Sequence, residues 1–105
     1  MKTALIEYLL NESADADEVE REIRAFVDGI ASLGAGIHYT SSRKQGRGRA
    51  YAHLGTFPSD EALKTMQAAP FFGRFAAFLN PRCAQGPTVT WLEQVASTSR
   101  AAPTR

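Results

Sequence analysis

Val19, Ile23, Phe26, Ile30 and Leu33 recur at spacings of four, three, four and three, one helical stripe set between two segments of strand character. Thr3–Leu10 before it is nearly all apolar, which predicts a strand buried on both faces. Ile37–Ser42 and Ala50–Phe57 after it read as two more strands, joined by the basic, glycine-containing turn Arg43–Arg49. Pro58-Ser59 opens a second helical region, with Leu63 and Met66 facing inward. Pro70 is expected to break it and start a further helical segment that carries Phe71, Phe72, Phe75, Phe78 and Leu79. Asn80–Gly86 reads as a loop and Pro87–Val95 as the last strand. The order strand–helix–strand–strand–helix–strand leaves few α+β architectures open.

Local signals sharpen these boundaries. Asp15 is the predicted cap of the first helix, with Glu18 completing a capping box, and Gly34 and Gly36 end it. Glu20 and Arg24 are four apart on its wet side and can pair weakly. Ser59 caps the second helix, with Asp60 and Glu61 in its first turn. If Gln45-Gly46 is a two-residue turn, His38 faces His53, Tyr39 faces Ala52 and Thr40 faces Tyr51. Residues 1–96 are expected to form one domain. The small, polar tail 97–105 is expected to fray or to lie along a partner subunit.

At 105 residues, 44% apolar and 22% charged, the chain is long enough for one core. A net charge of +1 supplies no field to recruit nucleic acid or an acidic membrane. No apolar run reaches the ~18 residues of a membrane span. Met1-Lys2-Thr3 leads straight into a strand interrupted by Glu7, which is unlike a secretory leader. Cys83 is the only cysteine, so no internal disulfide can form, and a reduced thiol in a cytoplasmic protein is expected.

Strand parity sorts the side chains into two faces. Ala4, Ile6, Tyr8, Ile37, Tyr39, Ala52, Leu54, Val89, Trp91 and Val95 form a mostly apolar set, predicted to lie under the helices. Leu5, Glu7, Leu9, His38, Thr40, Tyr51, His53, Phe57, Thr90, Leu92 and Gln94 form a mixed set. Polar groups set into an apolar patch mark an interface or a ligand cavity. This second face is therefore expected to be covered by a second copy of the chain.

The element order is that of a ferredoxin-like sandwich, in which an antiparallel four-stranded sheet has the order 4-1-3-2. Leu54–Ala62 (LGTFPSDEA), Pro70–Phe75 (PFFGRF) and Gly86–Val95 (GPTVTWLEQV) further resemble the antibiotic biosynthesis monooxygenase superfamily, the dimeric α+β barrels. The match is carried by the C-terminal half, while the N-terminal half agrees in element order. The resemblance implies a homodimer whose sheets pack face to face. It also implies a pocket in which some members oxygenate phenols, quinols or anthrones with O2 and no bound cofactor. Other members degrade haem, but the asparagine of the first strand and the histidine of the second helix used by that branch have no counterpart here. Asn11 lies at the strand end, and residues 60–79 contain no histidine.

On this basis a neutral histidine would take the hydroxyl proton of an electron-rich aromatic substrate. His53 is the first candidate and His38 the second, with Glu7 as the carboxylate that orients the imidazole. Tyr51 and Thr90 would hydrogen-bond the substrate oxygen, and Trp91, Phe72 and Phe75 would supply apolar wall. The phenylalanines also fit simple helix packing. No metal site is expected: Glu7, His38 and His53 are the ligand types of a non-haem iron centre, but strand three separates Glu7 from His38 by roughly 10 Å. Two rivals stand beside the oxygenase. One is a non-enzymatic dimer that binds a small hydrophobic ligand. The other is an RNA-recognition motif, since Arg49–Leu54 (RAYAHL) partly matches its third-strand signature. Ala50 in place of glycine, His53 in place of an aromatic, and Glu7 on the stacking face all weigh against the latter.

Overall fold

The computed structural model describes residues 1–98; of the predicted tail 97–105, residues 99–105 lie outside the described residues. The elements follow the expected order: β1 (Lys2–Leu10), α1 (Ala16–Ser32), β2 (His38–Arg43), β3 (Ala50–Phe57), α2 (Asp60–Ala68), α3 (Pro70–Leu79), a 3-10 turn (Asn80–Arg82) and β4 (Cys83–Leu92). The sheet is antiparallel with the order β2-β3-β1-β4, the ferredoxin-like arrangement.

The helices start where their caps dictate. The Asp15 carboxylate accepts from the amides of Asp17 and Glu18 at 3.0 and 3.3 Å. Glu18 does not close the box but turns to Arg82, 3.9 Å away. Ser59 Oγ accepts from the Ala62 amide at 3.1 Å. Pro70 breaks the second helical region as expected, because its ring cannot continue α2 and starts α3. β4 begins four residues earlier than predicted and ends at Leu92, three residues before Val95. Gly86 lies within it at φ +80, where an added Cβ would stand 2.7 Å from the Glu7 carbonyl oxygen.

The hairpin register departs from expectation. The connection between β2 and β3 is not a two-residue turn. The Lys44 amide donates to Ala50 O at 2.8 Å, and inside that link Arg47 donates to Lys44 O and Ala50 to Arg47 O. His38 therefore pairs with Thr56, and His53 with Ser41. The slip is three residues. Because side chains alternate, an odd slip turns one strand over relative to the other. Tyr51, His53 and Phe57 face the helices and are buried, whereas Leu54 is 40% exposed on the open face. The faces predicted for β1, β2 and β4 hold; that of β3 is reversed.

Val19, Ile23, Phe26 and Ile30 of α1 pack with Met66, Phe75 and Leu79 over Ala4, Tyr8, Tyr51 and Phe57 of the sheet. Coverage fails along β4, where Val89 and Trp91 are each 51% exposed. That gap opens into the interior.

Candidate active site

Between the sheet and α2–α3 lies a cavity of about 300 Å³. Its walls are apolar, with Phe26, Phe57, Leu63, Met66, Phe72 and Phe75 among them, and its mouth lies at Val89 and Trp91. Among the described residues no charged side chain lines it; the polar groups are Tyr8, Tyr39, His53, Gln67 and Asn80.

His53 is the polar centre and is 1% exposed. β3 supplies it, β1 supplies Tyr8 and β2 supplies Tyr39, so three adjacent strands converge on one imidazole. The Tyr8 hydroxyl lies 2.7 Å from Nε2 and the Tyr39 hydroxyl 3.0 Å from Nδ1. Burial drives the His53 pKa down to about 4, so the ring is neutral at physiological pH. Burial also raises both tyrosines far above the usual phenol range, with Tyr39 adding to the effect on Tyr8.

A neutral imidazole has one donor and one acceptor. A neutral ring held by both phenols accepts from one and donates to the other, and the shorter 2.7 Å contact fits Tyr8 O–H donating to Nε2. Nδ1–H then donates to the Tyr39 oxygen. Tyr39 keeps its own hydrogen for a ligand, while the Tyr8 oxygen keeps lone pairs. The site thus presents one donor and one acceptor joined through a ring.

The structure separates the predicted catalytic set. Glu7 and His38 lie on the open face, opposite His53; Glu7 accepts from Lys44 Nζ at 2.9 Å, and His38 is exposed. The three-residue slip is the cause, and among the described residues the His53 ring is partnered by Tyr8 and Tyr39 rather than by Glu7. Tyr51 faces the helices but does not line the cavity. It stacks on Tyr8 and donates to Glu20 Oε2 at 2.7 Å. That bond, and then Arg43 donating from Nε and Nη2 at 2.9 and 2.7 Å, hold Glu20 below the usual carboxylate range. Thr90 pairs with Leu5 and points away from the cavity. Trp91, Phe72 and Phe75 do line it.

Tyr8 and Tyr39 are the residues that sequence reasoning missed, having placed them only among the apolar, helix-facing set. The signal was available: two phenol hydroxyls under helices need partners. A histidine of opposite strand parity cannot serve unless the hairpin register shifts.

The Cys83 thiol is pushed up by burial, as suits an unreactive side chain. Among the described residues no helix is long and apolar enough to cross a membrane.

No family model matches the chain, and no curated protein matches it in sequence. Solved structures do match in fold. A protein described as an antibiotic biosynthesis monooxygenase is 20% identical with a TM-score of 0.82, over 91% of this chain and 100% of its own. SnoaB, a cofactor-independent oxygenase from Streptomyces nogalater, is 13% identical with a TM-score of 0.78, over 92% and 95%. A conserved protein from Methanosarcina mazei Go1 is 8% identical with a TM-score of 0.79, over 89% and 91%.

Proposed function

We propose, from the fold this chain shares with the antibiotic biosynthesis monooxygenases, that it is a cofactor-independent monooxygenase. Its substrate is a small aromatic phenol, quinol or anthrone, held with O2 in the cavity of a cytoplasmic homodimer. The observation that carries this reading is the apolar chamber in which a neutral imidazole is clasped by two phenols.

Oxygenation without a cofactor requires the substrate itself to reduce oxygen. An electron leaves an aromatic hydroxyl more easily when its proton leaves too. Bulk water would stabilise a free phenolate, but this cavity would not, because an unpaired charge in an apolar chamber is costly. Proton and electron therefore depart together. Tyr8, whose oxygen can accept, takes the substrate proton as its own passes to Nε2, and Nδ1 gives up its proton through Tyr39 to the reduced oxygen, so His53 stays neutral. For a methylene flanked by aromatic rings, one oxygen atom becomes a new carbonyl and the other leaves as water with the two methylene hydrogens. No external reductant is needed. Phe72, Phe75 and Trp91 hold the ring plane and exclude solvent.

Dimerisation is supported by the open face of the sheet. Leu54 and Leu92 are 40% and 43% exposed there, beside Leu5, Leu9 and Ala52. A second sheet laid on this face would bury them, with Glu7 and Lys44 already paired. The RNA reading loses its rings, since Tyr51 and His53 point under the helices and cannot stack on bases.

The test is oxygen consumption with a panel of hydroquinones and anthrones. Wild type is expected to consume one O2 per substrate, and His53→Gln to lose about 100-fold in kcat. A folded dimer that is silent across the panel would leave the ligand-binding reading in its place.

A further inference from the structure

The chain Tyr8–His53–Tyr39 has a property that base catalysis alone does not use: it is uncharged and continuous, and it ends in an acceptor and a donor that belong to one cavity. We propose that it is a proton relay that interconverts the keto and enol forms of a bound aromatic ketone, an isomerase activity that needs no oxygen. The inference rests on the same cavity as the oxygenase reading and adds the step that supplies the oxygen-reactive enol.

The balance is as follows. A C–H proton of the ketone passes to the Tyr8 oxygen as the Tyr8 hydroxyl proton passes to Nε2. The Nδ1 proton passes to the Tyr39 oxygen as the Tyr39 hydroxyl proton passes to the ketone oxygen. Within the ligand the C–H electron pair becomes a C=C bond, and the carbonyl π pair becomes the new O–H bond. Four protons shift by one position and no net charge appears. His53 ends in its other tautomer, and the reverse shift through water entering at the mouth resets it.

Three observations favour this over a charged mechanism. Among the described residues nothing charged lines the cavity, so none of them is a counter-ion that would steady an enolate or an imidazolium. Both ring nitrogens are occupied, so a ligand meets a phenol before it meets the imidazole. Among the described residues the Tyr39 hydroxyl has no partner other than His53, which leaves its hydrogen available.

The geometry also sets what a ligand must reach. Two hydrogen-bond lengths and the width of an imidazole place the hydroxyl oxygens roughly 7 Å apart. That span suits a cyclic ketone whose acidic C–H lies across the ring from its carbonyl, so that the enol is a phenol.

The experiment is deuterium uptake under argon in D2O buffer, read by mass spectrometry. Anthrone is the cross-ring probe. Wild type is expected to accelerate uptake into the anthrone methylene about 100-fold over buffer. Tyr8→Phe and Tyr39→Phe should each fall to within about 10-fold of buffer, with the double variant no slower than either, since one gap breaks the chain. Calorimetric binding of 9-fluorenone, a planar ketone with no exchangeable methylene, reports whether each variant keeps its cavity. If a variant loses that binding, the wild-type rates decide alone. Wild type that binds 9-fluorenone but exchanges anthrone no faster than buffer overturns the proposal, as do Phe variants that exchange at the wild-type rate. Oxygen uptake without anaerobic exchange overturns the relay and leaves the oxygenase. Exchange without oxygen uptake does the reverse.

Discussion

Each phenol at His53 takes one ring nitrogen away from water and returns one hydrogen bond. Tyr8→Phe would leave Nε2 buried without a partner, at a cost of about 1–3 kcal/mol in urea unfolding at pH 7. A cost below a few tenths would mean that the contact is not formed in solution. Titration gives a second prediction. In the unfolded chain His53 has an ordinary pKa near 6.5; in the fold it is about 4. The unfolded state therefore binds more protons between those values. The contribution is fully present above pH 6.5, declines as pH falls, and is gone below about 4. Wild type should lose roughly 3 kcal/mol more than His53→Gln between pH 7 and pH 4. Parallel stability curves for the two would contradict the burial of a neutral ring. At this scale the sequence pointed to His53 as the central residue but hid its neighbours. Tyr8 and Tyr39 satisfy the same apolar pattern that Ile6 does, and a hydroxyl leaves no trace in hydrophobic periodicity.

Among the elements, caps and breaks were legible because they act within a few residues. Asp15, Ser59 and Pro70 do what their chemistry requires wherever the rest of the chain goes. The β2–β3 connection was not legible. Gln45-Gly46 resembles a two-residue turn, but the competing link from Lys44 to Ala50 uses Arg47 as well, and the choice between them is three residues of register. That choice decides which face His53 occupies. Turn chemistry was thus the weakest link between sequence and site. Glycines in strand and turn make a matched test. Gly86→Ala should cost about 2 kcal/mol or more, since φ is +80 and the new Cβ would meet the Glu7 carbonyl oxygen at 2.7 Å. Gly48→Ala meets nothing within 4 Å and should be neutral, or stabilising by up to about 1 kcal/mol. Denaturant midpoints for the pair would reveal a misplaced β4 if both changes were equally mild.

At the scale of the molecule, the fold followed from element order, because antiparallel pairing and short connections leave little freedom in joining these pieces. The cavity did not follow. It arises because α2 and α3 separate at Ala69–Pro70 and because the helices stop short of β4, neither of which is a property of any one segment. The open sheet face carries the prediction at this scale. Leu54→Glu with Leu92→Glu should turn a dimer into a monomer by light scattering, with far-ultraviolet circular dichroism unchanged, because both side chains point away from the core. A dimer that survives both charges would have to use another surface.

Trp91 is the only tryptophan in the chain, and it stands half-exposed where the cavity meets solvent. Its indole emission is therefore a gauge already installed at the doorway. Anything that enters, and anything that closes over β4, must change the wetness of that one ring and so shift its colour, with no label added.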